Sequence, residues 1–427
     1  MKTVIIIIIF SFLAQYVARK NNSIIGKRLL IIYLLWWGVS LFLSTLGLYG
    51  FPSISTYSLA LMITHLLFFY GGYTVVPDVH SKYFSTISIQ KTIEKIIKNK
   101  IFIAIILCSL IYTISLYKVF VARLALAETM GDVRTDFYSG DLYGSAFSLI
   151  NGLVLSPLNY ICLPIFSYTI FTKRGLACIL SGLYLIIYAS LGGGRISYVW
   201  ILVNILFLNY CIFNKNLKKY LLPFSLFLVL SYFSVCYVTA ARFGEDFNST
   251  KAISEGMEKT NEQILSYSVG SFAAFDYAIE HDYVGKMGGY QCGRLTGASI
   301  EAFFYTFLNR FGFFIHKSLD DFTQIVQEET ITISDVMSWN ALYTSLLYYY
   351  CDLGILGVCV FPFIFGYVFH KLINLLVRNT SFSSVVLLGY FYQRMIYSTM
   401  SYGFTDLFAL LFVIVVYIIA KRKKAYL

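Results

Sequence analysis

Long apolar runs recur along this chain from end to end, separated by short polar breaks. They fall at about residues 3–18, 29–48, 54–73, 101–122, 145–171, 175–191, 196–213, 220–239, 354–376, 383–402 and 404–420. Most approach the roughly 20 residues that an α-helix needs to cross the hydrocarbon layer. Lipid offers no partner to open backbone groups, so each run is expected to be a helix. The pattern breaks once, between Ala240 and Ala341, where 14 of the 22 acidic residues stand against seven basic ones. The expectation is one integral membrane domain over 1–427, all-α, with about 11 transmembrane helices and a single large polar loop at 240–340.

Composition agrees. Hydrophobic residues make up 58% and charged residues 13%, and mean hydropathy is +0.71. A soluble domain carries about 25% charge. The net charge of +11 follows from topology. Alternate loops carry Arg19/Lys20/Lys27/Arg28, Lys82/Lys91/Lys95/Lys98/Lys100, Lys173/Arg174, Lys215/Lys218/Lys219, Lys371/Arg378 and Lys421/Arg422/Lys423/Lys424. Together they hold 20 of the 33 basic residues, with only Asp78 and Glu94 as acids. The positive-inside rule assigns these loops to the cytoplasm. The N-terminus and the 240–340 loop then lie outside and the C-terminus inside. The excess of Lys and Arg is thus a topology signal and argues against nucleic acid as a partner. The first run has one Lys before it and four basic residues after it, the reverse of a secretory signal, and is read as a retained helix.

Seven of the eight cysteines fall in or beside apolar runs, and only Cys292 sits in a polar loop. No CxxC, HxxxH or HExxH spacing occurs, so no metal site is expected. No P-loop or GxGxxG occurs either, and no cofactor is expected.

Within the loop, Ile300, Phe303, Phe304, Phe307, Leu308 and Phe311 recur at helical spacing. They predict an amphipathic helix that lies in the interface or dips into the bilayer. Trp339 to Tyr350 predicts a half-helix too short to span. Charges near the bilayer are costly, which singles out Lys118, Arg123, Arg134, Arg195, Arg242, Arg394, Asp352 and Asp406. Arg195 follows Gly192, Gly193 and Gly194 at the outward start of a helix. Free N–H groups there favour an anion, and the guanidinium fork matches phosphate oxygens. The alternative is a tight turn with an arginine among headgroups. Tyr348–Tyr350 and Phe303–Tyr305 add aromatic faces suited to sugar rings.

The GGGR turn at Gly192–Arg195, the late large loop, and the stretch NALYT…YYCDLGILG from Asn340 to Gly357 together resemble the bacterial O-antigen or oligosaccharide repeat-unit polymerases, the Wzy family. The resemblance spans essentially the whole chain. It implies a GT-C-like glycosyltransferase bundle in the bacterial inner membrane, with its active site facing the periplasm. It implies transfer of a growing glycan from undecaprenyl pyrophosphate onto another lipid-linked repeat unit. Membrane lipids and a chain-length regulator are its implied partners. Some members carry an Arg-x10-Gly repeat in two loops; no such repeat begins at Arg242 or Arg310.

The chemistry stands without the name. A leaving lipid pyrophosphate gains negative charge, and cations that meet it lower the barrier. Arg195 and Arg242 are the first candidates, with Arg310, Arg394 and the backbone of Gly193 and Gly194 beside them. The acceptor hydroxyl needs positioning or a carboxylate base, for which Asp276, Glu301 and Asp352 are candidates. A ligase that moves polysaccharide to lipid A core shares these requirements. A flippase is expected to carry charge through the midplane and two inverted halves, and neither is visible.

Overall fold

The computed structural model describes residues 24–47, 52–79, 86–126, 142–170, 175–191, 196–213, 269–313, 316–328, 331–334, 337–339 and 343–422, with isolated positions between them. The described residues are helical apart from one small antiparallel ladder. The helices are α1 (Ile24–Ser44), α2 (Thr56–Val75), α3 (Thr86–Lys98), α4 (Lys100–Leu126), α5 (Ser145–Ile150), α6 (Ser156–Thr169), α7 (Gly175–Ser190) and α8 (Ile196–Phe207). There follow α9 (269–280), α10 (Ala298–Asn309), α11 (Ser318–Glu328), α12 (Ser345–Leu353), α13 (Ile355–Arg378), α14 (Phe382–Tyr397) and α15 (Leu407–Arg422). The ladder pairs β1 (Ile331–Ser334) with β2 (Met337–Trp339).

Among the described residues, five helices are long and apolar enough to cross a membrane: Ile24–Ser44, Thr56–Val75, Lys100–Arg123, Ala146–Thr169 and Ile355–Arg378. The protein is therefore a helical, membrane-embedded one. Of the other expected runs, 175–191, 196–213 and 404–420 form shorter apolar helices, and 383–402 forms the 16-residue α14. Runs 3–18 and 220–239 lie outside the described residues. The chain's contacts group it into two compact units.

The first unit holds α1, α2, residues 262–378 and residues 391–415. Its frame is the α2–α13 pair. A Cβ on Gly72 would overlap the Phe363 carbonyl, and one on Gly366 would overlap the Phe69 carbonyl. Only glycine lets the two backbones come this close, as in other membrane helix pairs built on small residues. At one end of the pair, His370 Nε2 is 3.0 Å from Asp78 Oδ1 and its Nδ1 is 2.6 Å from the Tyr73 carbonyl. Asn374 donates to the Pro77 carbonyl at 2.9 Å and accepts from Val79 N–H at 3.2 Å. α1 joins through Tyr33, whose hydroxyl is 3.1 Å from His65 Nε2. Trp36 and Trp37 of α1 donate to Thr399 and Ser398.

The second unit holds residues 84–261, 379–390 and 416–427. α5 and α6 are joined by a π-turn at Asn151–Leu155, two residues before Pro157. Tyr184 donates to the Leu155 carbonyl at 2.8 Å, and Tyr188 to the Asn151 side chain at 2.9 Å, so α7 satisfies the polar groups of the widened turn. α3 is an amphipathic helix that none of the expected runs included. It buries Ile89 and Ile93, and its Glu94 accepts from Tyr168 of α6 at 3.1 Å.

Of the two expected loop elements, one forms as expected and one shifts. α10 ends at Asn309, close to the end of its apolar stripe. The half-helix expected from Trp339 to Tyr350 instead runs from Ser345 to Leu353. Trp339 pairs with Ile331 in the ladder, which takes it out of helical conformation.

Candidate functional site

The polar centre of the first unit is the loop from Gln291 to Gly297, between α9 and α10. Three elements hold it. Gln291 and Cys292 donate through their backbone N–H groups to the carbonyls of Cys351 and Asp352, at 2.9 and 3.0 Å. The Asp352 carboxylate accepts from Leu295 N–H at 3.0 Å and Thr296 N–H at 2.7 Å. Tyr402 donates to the Thr296 carbonyl at 2.6 Å. Asp352 is fully buried. Burial pushes its carboxyl above the usual range, against the pull of the backbone hydrogen bonds that favour the charged form. With both oxygens taken and no exposed surface, Asp352 anchors the loop.

Glu301 grips the same loop from α10. Its Oε1 is 2.7 Å from Arg294 Nε and 2.6 Å from Nη2, and its Oε2 accepts from Ser318 N–H at 3.2 Å. Arg294 Nη2 also donates to the His316 carbonyl at 2.7 Å. The guanidinium is thus fixed while its side chain stays 47% exposed. Consecutive residues Arg294, Leu295 and Thr296 are therefore held by two of the three nominated carboxylates.

The third carboxylate, Asp276 of α9, sits elsewhere in this unit. It accepts from Ser55 N–H at 2.8 Å and from the Ser55 hydroxyl at 2.5 Å. Ser55 in turn caps α2, accepting from Ser58 N–H at 3.1 Å. The neighbouring Phe275 ring meets Tyr350 edge-on, and the Tyr350 hydroxyl lies 3.4 Å from that of Tyr57. Asp276 is partly exposed, unlike Asp352.

A cavity of about 90 Å³ is lined by Asp282, Tyr283, Tyr290, Leu347, Tyr350 and Cys351, among others. That is far below the roughly 300 Å³ of a pocket enclosing a whole ligand, so a larger molecule would be held along the rim. The rim is aromatic, with Tyr57 44% and Tyr290 55% exposed. Gly354 shapes it: its φ is +60°, and a Cβ there would come within 2.9 Å of the Tyr290 hydroxyl. Phenol faces beside carboxylates suit a polyhydroxylated ring.

Of the four nominated arginines, Arg310 and Arg394 are among the described residues. Arg310 caps the far end of α10 and is exposed, about 13 Å along the helix from Glu301 at 1.5 Å per residue. Arg394 lies on α14 with its Cδ against Gly403. Asp406 accepts from Phe408 N–H at the start of α15. Arg195, Arg242, Gly193 and Gly194 lie outside the described residues. Arg294 was not among the sequence candidates. It follows Gly293, whose φ is +89°, so the glycine-then-arginine logic applied to Arg195 had a second instance. No group of three or more His, Cys, Asp or Glu able to hold a metal occurs among the described residues.

Cys292 gives a direct check on orientation. It is exposed and lies outside every apolar helix. In intact spheroplasts an impermeant maleimide is expected to label it, and Cys292→Ser to remove that label. Labelling of Cys292 only after lysis would reverse the topology.

No family model, curated protein or solved structure matches the chain. The fold and site thus define a class, a polytopic helical membrane protein with a polar and aromatic cluster beside its spans.

Proposed function

We propose that the protein polymerises lipid-linked oligosaccharide repeat units at the periplasmic face of the bacterial inner membrane. The donor is a glycan on undecaprenyl pyrophosphate, and the acceptor is another lipid-linked unit. An acceptor hydroxyl attacks the anomeric carbon of the donor glycan. The anomeric C–O bond to pyrophosphate breaks, the hydroxyl proton passes to a carboxylate or water, and undecaprenyl pyrophosphate leaves. The observation that carries this reading is the loop at Arg294–Thr296. A guanidinium held by Glu301 and the His316 carbonyl, its side chain half-exposed, stands there, in the segment that the distribution of Lys and Arg assigns to the outside.

In this reading Arg294 meets the pyrophosphate, the charge of which grows as the bond breaks; Arg195 and Arg242 are candidates for that anion from the sequence alone. Arg310 and Arg394 supply further positive field. Asp276 is the carboxylate best exposed to an acceptor hydroxyl, and Glu301 orients Arg294. Asp352 holds the loop that carries Arg294. The GT-C-like bundle and its eleven spans belong to the same proposal.

Arg195→Ala is expected to remove polymer at matched membrane expression. Arg195→Lys keeps the charge without the fork and is expected to restore part of it. Normal chain-length ladders from both variants would leave Arg195 as a turn residue among headgroups. The lipopolysaccharide ladder of a deletion strain separates the activities. A single repeat unit on the core marks a polymerase. Free lipid-linked polymer marks a ligase, and absence of periplasmic units marks a flippase.

A further inference from the structure

Helix α10 is inside out for a helix of a water-soluble loop. Its one acidic side chain, Glu301, is 11% exposed and turned onto Arg294 and Ser318. Its large apolar side chains face outward. Ile300 is 51% exposed, Phe303 47%, Phe304 52% and Phe307 54%, and the following turn adds Phe311 at 65% and Phe313 at 62%. Four exposed large apolar side chains on the helix, with two more in the turn after it, form a patch that water does not tolerate uncovered.

The level of α10 is fixed within its own unit. Thr296, two residues before α10, is bonded through its N–H to Asp352, three residues before the membrane-spanning helix α13. α10 therefore starts beside the end of a span. At that end Ile355 is 53% and Leu356 69% exposed, as expected where a span enters acyl chains. Cations flank the aromatic face. Arg310 is exposed at its C-cap, and Lys317 Nζ lies 4.3 Å from the centre of the Tyr305 ring. Phenyl rings below and Lys or Arg at the rim is the pattern of a helix lying in the headgroup–acyl boundary.

We infer that α10 is a membrane-inserted helix, with its phenylalanine face in the acyl chains of the leaflet that α13 enters at Ile355 and its Glu301 edge turned into the protein. The occupant of the exposed face is phospholipid. This conclusion follows from burial and from continuity with α13, and it holds whatever reaction the protein performs. It gives the loop at Arg294–Thr296 a fixed height at the membrane surface, where a lipid-borne phosphate lies.

The test uses the wild-type protein in liposomes of phosphatidylethanolamine and phosphatidylglycerol that contain a phospholipid with a photoreactive diazirine in its tail. After irradiation, peptides are mapped by mass spectrometry. Phe303, Phe304 and Phe307 are expected to carry adducts at a level similar to Ile355–Val360, while Ser318–Glu328 carries none. α10 unlabelled beside a labelled α13 would overturn the inference. A nitroxide on a single cysteine at position 307 gives an independent reading. Collision with oxygen exceeding collision with a nickel chelate supports insertion. The reverse ratio shows a face in water, and protection from both shows a face covered by protein such as a second copy; either result overturns it.

Discussion

Gly366→Leu is expected to abolish the folded first unit. At this position the α13 backbone lies against the Phe69 carbonyl and Tyr73 N–H of α2, so no rotamer places a leucine side chain without moving a helix. Overpacking in a side-chain core costs about 1–3 kcal/mol; here the obstacle is backbone, and about 3 kcal/mol or more is expected. The separation would propagate to the His370–Asp78 and Asn374–Pro77 contacts at the end of the same pair. The measurement is the yield of monodisperse protein in mild detergent and its thermal midpoint. Gly366→Ala is expected to give an intermediate loss, and Gly72→Ala a similar one. A midpoint for Gly366→Leu within a degree or two of wild type would show that the close approach of α2 and α13 is wrong.

Asp352→Ala carries the second large effect. It removes the acceptor of two backbone N–H groups, Leu295 and Thr296, held by a carboxylate that is itself fully buried. An unsatisfied buried donor costs about 1–3 kcal/mol, so the pair costs roughly 2–6 kcal/mol. The loop at 291–297 is expected to lose protection from hydrogen exchange, and Arg294 its fixed position. Asp352→Asn keeps one acceptor oxygen but turns an amide N–H₂ toward the other donor, and is expected to loosen the loop to a lesser degree. A group that acts only as a base predicts the opposite for Asn: native protection at 291–297 with no chain growth.

The apolar pattern made helices legible because lipid leaves the backbone no other choice. It also made α10 legible, since Ile300 to Phe311 keep a 3.6-residue period and the helix ends within two residues of them. The pattern blurred where period and length compete. Trp339 read as helix because tyrosines follow it, yet a strand partner eight residues earlier claimed it. Ile89 and Ile93 in α3 also had helical spacing, hidden by the lysines that made the segment read as a basic loop. Run 175–191 is apolar enough but yields a helix of only 16 residues.

The candidate site was half legible for a physical reason. A charge beside a bilayer stands out by its cost, which singles out Asp352; Glu301 enters as a carboxylate of the outer loop. Its partner does not stand out, because the partner is a backbone N–H 56 residues away in Thr296 or an ordinary loop arginine, Arg294. Gly72 and Gly366 are similar. Each reads as a small residue in an apolar run, and only the meeting of the two helices gives it a reason.

The central claim is a reaction, and the most direct measurement supplies its substrate. Purified protein in liposomes is given a single lipid-linked repeat unit as both donor and acceptor. The account predicts a ladder of lipid-linked oligomers, with one undecaprenyl pyrophosphate released for each new glycosidic bond. Repeat units that stay single, whether left in place or moved across the bilayer, with no undecaprenyl pyrophosphate released, would contradict it.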